Sequence, residues 1–272
     1  MPTGPDPLAS VEYWEARLGP THPGDGQTWP YERCVGHLLP RAPGSTCLEV
    51  GFFPGGHLLF LARHYDYRIT GIDFSPRVQD VAPAFSAHGI EANLVQADFF
   101  TWAPSEQFDV VCSFGFVQFF GNFRLAIARH WDLVKPGGTL LMTVPALTPF
   151  QWLLRRATYQ PAKFCRIVRA HNPAVMRLSV LRHEVERCAG ARIVSAKYIR
   201  EMTVWFEGRD PEMQPWAPAV LAAVRPFVRA ARRLRISSRW FSPEILVLAR
   251  KNSTSTAPLE RWGRGPSGPR HQ

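Results

Sequence analysis

The feature that most restricts the fold of this chain is a glycine- and proline-containing turn between a buried strand and a helix. The apolar run 46–50 predicts the strand, which ends at Gly51, and the apolar residues after Gly55 have helical spacing. Neither glycine has a side chain, so backbone N–H groups and the start of the helix can approach a ligand closely. A second predicted strand, 67–73, ends in Asp73, at a distance along the chain that suits a carboxylate binding the ribose hydroxyls of a nucleoside. The two units predict a nucleoside-binding α/β fold.

Phe53 separates two cofactor classes that both use a glycine turn followed by a distant acid. NAD-binding domains require the pattern G-x-G-x-x-G, in which the second glycine lets the pyrophosphate approach the backbone. Phe53 stands at that second position and would crowd a pyrophosphate. A nucleoside with a charged amino-acid tail and no phosphate, such as S-adenosylmethionine, fits the turn better, and NAD remains the alternative.

Five segments, in the same order along the chain, resemble the motifs of class I S-adenosylmethionine-dependent methyltransferases. Residues 49–55 resemble motif I, 71–75 motif II, 97–100 the strand end that contacts adenine, 108–113 motif IV, and 133–141 the turn before the fifth strand. Within the class, the chain is similar to small-molecule methyltransferase domains of types 11 and 12. The resemblance implies an α/β fold with a Rossmann-like, seven-stranded, mostly parallel sheet, helices on both faces, and the last two strands antiparallel.

The resemblance also implies a site for S-adenosylmethionine. The residues that would cradle its methionine part are Gly51, Phe52, Phe53, Gly55 and Ser113, although the two phenylalanines would equally serve to pack the turn. Asp73 would accept hydrogen bonds from both ribose hydroxyls, with Phe74 beside the adenine. Asp98 would accept from the adenine amino group, and Phe99 would donate its backbone amide. Glu49 would hold the glycine turn from behind.

Residues 1–41 are expected to form a helical arm, or lid, over the cofactor. Residues 13–17 match an aromatic–Trp–x–x–Arg segment that is common at this place in similar enzymes. By that resemblance Arg17 would bind the cofactor carboxylate in a charge-assisted pair. Trp14 would either contact the cofactor or anchor the arm in the core, and we prefer the second role.

Residues 42–251 are expected to form the methyltransferase domain, because predicted strands and helices alternate through them. The strands are predicted over 46–50, 67–73, 92–97, 108–114, 139–144, 191–199 and 244–249. Two segments exceed the minimal fold: 145–177, interpreted as a cap over the acceptor, and 200–241, an insertion before the last strand. The insertion contains an apolar stripe opposite several arginines. Such a helix would lie on an anionic membrane surface or pack its apolar side on the domain, and we prefer the second interpretation. Residues 252–272 are polar and rich in proline and glycine, which predicts a disordered tail.

The charge of the chain is divided unevenly between its two parts. Residues 1–150 contain 9 Lys/Arg and 14 Asp/Glu, whereas 151–272 contain 23 and 8, so the net charges are −5 and +15. A basic surface attracts anionic partners, such as a phosphorylated or lipid-linked acceptor, and is also compatible with a simple solvated face. The five cysteines have no metal-ligand spacing, so no metal is expected, and no signal-peptide pattern or membrane-length apolar run is present. A cytoplasmic location, with peripheral membrane contact as an option, is the expectation.

The segment after the fourth strand departs from the resemblance. Small-molecule methyltransferases often have a histidine there that contacts the acceptor, whereas this chain has Gln118 and Phe119. The acceptor is therefore one that needs no strong base, or the base comes from elsewhere, with His171 in the cap as the first candidate.

The sequence thus predicts an enzyme that transfers a methyl group from S-adenosylmethionine to an oxygen or nitrogen of a small molecule, such as a saccharide, a lipid-linked molecule or a secondary metabolite. Two alternatives remain. The missing histidine motivates a protein that binds the cofactor and has lost catalysis. The basic half motivates an RNA methyltransferase, although the chain has no Asn/Asp-Pro-Pro-Tyr motif for base methylation, so nucleic acid is the less favoured partner.

Overall fold

A computed structural model describes residues 6–10, 12–14, 26–27, 29–203 and 212–254 of the chain. Within these ranges, one seven-stranded sheet forms the centre of the fold, in the order β3-β2-β1-β4-β5-β7-β6. The strands are β1 (Thr46–Val50), β2 (Arg68–Asp73), β3 (Ala92–Gln96), β4 (Phe108–Phe114), β5 (Val134–Pro145), β6 (Ala191–Ile199) and β7 (Glu244–Lys251).

Strands β1 to β5 are parallel, whereas β7 runs antiparallel to both of its neighbours, β5 and β6. The predicted seven-stranded, mostly parallel sheet with an antiparallel final pair is confirmed. Strand β1 pairs with both β2 and β4. After β1 the chain therefore builds one half of the sheet with β2 and β3, and it then crosses back to add β4 on the opposite side of β1. In α/β sheets, ligands bind at such a switch point, outside the carboxyl ends of the strands.

Eight α-helices have both of their ends within the described residues. They are α1 (Glu32–Val35), α2 (Gly56–Tyr65), α3 (Ala82–Ser86), α4 (Phe123–Asp132), α5 (Pro149–Thr158), α6 (Pro161–Arg169), α7 (Leu178–Glu186) and α8 (Ala217–Arg233). In the helical arm expected over residues 1–41, residues 12–14 are also helical, and much of the remainder up to residue 28 lies outside the described residues. None of the described helices is long and apolar enough to cross a membrane.

Both faces of the sheet are buried. Successive side chains of a strand point to opposite faces, and accordingly Leu48 and Val50 belong to one apolar cluster while Cys47 belongs to the other. Strand β4 divides in the same way, with Val111 on the first side and Val110 on the second. Two buried faces explain why these strands read as continuous apolar runs rather than alternating ones.

Helix α8 packs its apolar stripe on the neighbouring helices. Leu221 and the partly buried Val224 contact Leu154 of α5 and Tyr159 in a third, smaller cluster. The arginines of α8 are exposed to solvent. The structure therefore agrees with the interpretation that this helix packs on the domain.

Candidate cofactor site

A cavity of about 690 Å³ lies at the carboxyl ends of β1, β2, β3 and β4. Its volume falls within the range of roughly 300–1,000 Å³ that is typical of small-molecule sites. The residues predicted to bind the cofactor that line it are Trp14, Gly51, Phe53, Asp73, Phe74, Asp98 and Phe99. The predicted partner of the cofactor carboxylate, Arg17, lies outside the described residues.

The glycine turn is shaped by two residues in the left-handed backbone region. Gly51 has φ +69° and Gly55, just before α2, has φ +96°. A Cβ at Gly51 would lie 2.6 Å from the ring of Phe116, which is closer than real Cβ contacts come. Both conformation and space therefore require glycine at the point where β1 opens into the cavity.

Glu49 lies behind this turn rather than in the cavity. Its side chain is fully buried and accepts a hydrogen bond from the backbone N–H of Leu58, in the first turn of α2. Burial, followed by the nearby Cys47 and Asp73, raises the pKa of the Glu49 carboxyl well above its usual value. Glu49 thus ties the end of β1 to the start of the helix.

Asp73 fixes the end of β2 against the turn. Its Oδ1 accepts from the Ser75 N–H at 2.9 Å and its Oδ2 from the Phe53 N–H at 3.2 Å. Burial raises the pKa of Asp73, while the backbone N–H groups of Ser75, Phe53 and Phe74 oppose that shift. A carboxylate offers about four acceptor positions, so two remain for hydroxyl groups of a ligand in the cavity.

Asp98 and its neighbours form the adjacent wall. Asp98 Oδ1 accepts from the Phe100 N–H at 2.9 Å, which holds the carboxylate at the end of β3. Phe74 is 40% exposed and Phe99 only 5% exposed, and both line the cavity. This arrangement presents one carboxylate and two aromatic rings to a flat heterocycle.

Three predicted cradle residues are not among the lining residues: Phe52, Gly55 and Ser113. Their place in the cradle around the methionine part of the cofactor stays a prediction. Phe52 is buried above Gly71 of β2, where a Cβ would lie only 2.6 Å from its ring, so the missing side chain of Gly71 makes room for this ring. Ser113 is fully buried in β4, and its Oγ has no hydrogen-bond partner among the described residues.

The segment after β4 contributes an aromatic wall that the sequence interpretation missed. Its lining residues are Phe114, Phe116, Phe119 and Phe120. The ring of Phe119 contacts that of Trp14 edge-on at 4.4 Å between centroids. Trp14 therefore lines the cavity and packs on Phe119, and its contact with the cofactor stays a prediction. The presence of four phenylalanines within seven residues is the sequence signal that could have indicated this wall.

The charge of the cavity separates the two cofactor classes. The charged residues among its described lining are Glu12, Asp73 and Asp98, all acidic. A pyrophosphate would meet carboxylates and ring faces there. A cation is favoured by both, because aromatic faces attract positive charge. The residues present fit S-adenosylmethionine, whose sulfonium and amino groups are cationic and whose ribose hydroxyls suit Asp73.

Gln118 and the histidines serve mainly as parts of the scaffold. Gln118 is 1% exposed, and its Nε2 donates to the Gly115 carbonyl at 2.7 Å, so it braces the loop instead of facing the cavity. Burial, then Arg200, lowers the pKa of His57 to about 4, and burial lowers that of His130 to about 4. Both are neutral at physiological pH.

His171 lies beside the cofactor cavity and not in its described lining. Its Nδ1 is 2.6 Å from the Ile167 carbonyl, and its ring centroid is 4.7 Å from that of Phe119. The ring of Phe119 thus stands between His171 and the cavity. A role for His171 as a base stays a prediction.

Comparison with known proteins identifies the domain. Residues 47–138 match a family model described as a methyltransferase domain, and this match contains the glycine turn, Asp73 and Asp98. The chain carries a class I methyltransferase domain. S-Adenosylmethionine is the cofactor of that class, in agreement with the acidic, aromatic cavity.

Among its relatives, the methyltransferase domain is 29% identical over 143 residues to a trans-aconitate 2-methyltransferase of Streptomyces avermitilis, an alignment that covers 50% of this chain and 52% of the relative. The chain thus spans about half the length of that relative. A solved S-adenosylmethionine-dependent methyltransferase from Mesorhizobium loti has a TM-score of 0.54 at 16% identity and covers 83% of this chain and 100% of its own.

A third protein with this fold is named for a different chemistry. The [4+2]-cyclase SpnF has a TM-score of 0.50 at 20% identity, with 81% of this chain and 79% of that chain covered. Structural similarity at this level shows the fold alone, because one fold supports several reactions. The reaction of the present chain must be argued from its own cavity.

Proposed function

We propose that this protein transfers a methyl group from S-adenosylmethionine to an oxygen or nitrogen atom of a small molecule. The observation that carries the proposal is the cavity in which Asp73, Asp98 and a set of aromatic rings meet at the switch point of the sheet. The sequence match to the methyltransferase domain covers those two carboxylates.

When bound, the cofactor supplies an electrophilic methyl group on a positively charged sulfur. The transfer would be a displacement in which an acceptor lone pair replaces the sulfur on the methyl carbon and the sulfur keeps the electron pair of the broken bond. The acceptor, having gained a bond, loses its proton to water or to a base. Asp73 would hold the ribose, and Asp98 the adenine, so that the methyl group has one fixed direction of approach.

The residues around the reacting atoms position the cofactor and the acceptor more than they transfer protons. The described lining contains no histidine or lysine, and most of it is apolar or aromatic. Aromatic ring faces attract the positive charge of the sulfur. An acceptor that ionises easily, or a neutral amine, therefore suits this cavity best.

Calorimetric titration with S-adenosylmethionine tests the first half of the proposal. We expect micromolar binding by the intact protein and a loss of at least about tenfold for Asp73→Ala, because hydrogen bonds to a carboxylate contribute about 1.5–3 kcal/mol each. The matched control is Asp80→Ala, which removes an exposed carboxylate that pairs with Arg77 outside the cavity lining. Equal losses in both variants, or no binding by the intact protein, would refute the proposal.

Transfer of labelled methyl to a panel of acceptors tests the second half. Trans-aconitate belongs in the panel because a relative named for methylating it is 29% identical to this chain over 143 residues. We extend the proposal to anionic acceptors, lipid-linked ones among them, since the basic half of the chain contains the cap. Binding without transfer to any acceptor would identify a cofactor-binding protein, and transfer to RNA that survives moderate salt would identify an RNA methyltransferase.

A further inference from the structure

A second cavity, of about 260 Å³, lies beneath the segment that follows β5. Its walls come from the end of β5, from α5 and α6, and from residues 171–176. Eight of its eleven lining residues are apolar or aromatic: Ala146, Leu147, Trp152, Phe164, Ile167, Val168, Pro173 and Met176. The polar ones are Gln151, Arg155 and His171. An apolar ligand with few polar groups fits this lining best.

Gln151 provides the second observation that points to a ligand. Its side chain is 2% exposed and its Nε2 donates to the Thr203 carbonyl at 2.8 Å, which fixes the orientation of the amide. The other amide atom, Oε1, is buried without a hydrogen-bond partner among the described residues. A buried acceptor without a donor is unfavourable. Because Gln151 lines the cavity, a hydroxyl or N–H group on a ligand would supply the missing donor.

The rim of the cavity is also apolar. Trp152 is 46% and Val168 43% exposed, so both line the cavity and face solvent, and the neighbouring Leu153 is 63% exposed. Exposed apolar side chains at the mouth of an apolar cavity are typical of a ligand-binding surface. A ligand would therefore enter between α5 and α6 without crossing a charged barrier at these residues.

One layer of aromatic rings separates this cavity from the cofactor cavity. Phe119 lines the larger cavity and His171 the smaller, and their ring centroids are 4.7 Å apart. A molecule held in the smaller cavity thus lies one ring layer away from the cofactor cavity.

We propose that the smaller cavity binds the apolar part of the methyl acceptor, a single ring or a short chain, through a hydroxyl or amine that donates to Gln151 Oε1. The inference rests on the proposed function, since it is the neighbouring cofactor that makes the ligand an acceptor. The volume is sufficient, because an engineered cavity of roughly 150 Å³ in another protein accommodates benzene. The acceptor class is thereby narrowed to molecules that carry a phenol, amine or alcohol group on an apolar end of this size, with the atom to be methylated elsewhere in the molecule.

Phenol and toluene are the probes for this site, because they match in size and differ in the donor. We would measure their dissociation constants for the full chain by ligand-observed NMR. Phenol is expected to bind about fivefold or more tightly, the factor that one net hydrogen bond contributes, although toluene is the more apolar molecule. The preference should disappear in Gln151→Met, which keeps the length of the side chain and removes its amide.

A pair of variants on α6 assigns the binding to this cavity. Val168→Trp fills the cavity from its rim and should abolish binding of both probes. Cys165→Trp places the same ring on the same helix at an exposed position outside the lining, and should leave binding unchanged. Thermal unfolding checks that each variant is folded. If Gln151→Met does not fold, two measurements still test the proposal: the comparison of phenol with toluene in the unaltered chain, and the comparison of Val168→Trp with Cys165→Trp.

The possible results have separate meanings. Toluene binding as tightly as phenol, or binding that survives Val168→Trp, overturns this inference. Failure to bind S-adenosylmethionine with the phenol preference intact overturns the proposed function and the acceptor role, and leaves only a phenol-binding cavity. Cofactor binding without any phenol binding overturns the present inference alone.

Discussion

Replacing Gly71 with alanine tests how β2 and the glycine turn fit together. An added Cβ would lie 2.6 and 2.7 Å from two ring atoms of Phe52 and 2.8 Å from a methyl group of Leu58. All three distances are below the roughly 3.0 Å that real Cβ atoms keep, and both neighbours are buried. Overpacking of this kind costs typically 1–3 kcal/mol, and with three contacts we expect about 2 kcal/mol from the free energy of unfolding.

The substitution should also weaken cofactor binding, although Gly71 does not line the cavity. Pushing Phe52 outward moves the next residue, and the Phe53 N–H would lose its 3.2 Å hydrogen bond to Asp73. Urea unfolding measures the stability, and calorimetry with S-adenosylmethionine measures the affinity. Phe52→Ala removes both ring atoms at the contact and should rescue part of the loss. The free energy of unfolding of the double variant should therefore be at least about 1 kcal/mol higher than the value obtained by adding the two single losses. Simple additivity would refute the reasoning.

Two further predictions concern buried charged groups. Burial raises the pKa of the Glu49 carboxyl well above its ordinary value of about 4.5. The stability that this group contributes is therefore present below about pH 4.5 and is lost as pH rises, by up to about 1.4 kcal/mol per unit. Glu49→Gln should flatten the stability profile measured by urea unfolding between about pH 5 and pH 7, and an unchanged slope would contradict this. Lys251 is 2% exposed and donates to the carbonyls of Trp131 and Val134 at 3.1 and 2.8 Å. Lys251→Met should cost about 1–3 kcal/mol by leaving both carbonyls unpaired, and a thermal melt equal to that of the unaltered chain would show that they find other donors.

The strands could be predicted from the sequence because their apolar runs are continuous and are interrupted by glycine, proline or charged residues. The predicted bounds of β1, β4 and β6 coincide with the observed ones, and those of β2 and β3 differ by a single residue. Strand β5 starts at Val134, five residues earlier than predicted, because Val134 already pairs with Phe108 before the glycine turn. The local pattern of apolar residues does not reveal a pairing partner that lies 26 positions away in the sequence.

The site was predictable where it depends on strand ends and not where it depends on packing. Asp73 is the last residue of β2 and Asp98 comes two residues after β3, and the structure brings both to one cavity. Which of Phe52 and Phe53 faces that cavity is decided by Gly71, on another strand, where the absent side chain admits the Phe52 ring. The second cavity depends in the same way on tertiary contacts, since the buried amide of Gln151 is oriented by Thr203, 52 positions away.

The two cavities draw on different stretches of the chain. Every described residue that lines the cofactor cavity precedes residue 121, and every one that lines the smaller cavity follows residue 145. Mutations can therefore accumulate after residue 145 without altering how S-adenosylmethionine would be held. On the proposed function, this layout makes acceptor choice an evolvable trait: grafting residues 145–177 from a relative should transplant its selectivity onto an unchanged methyl donor site.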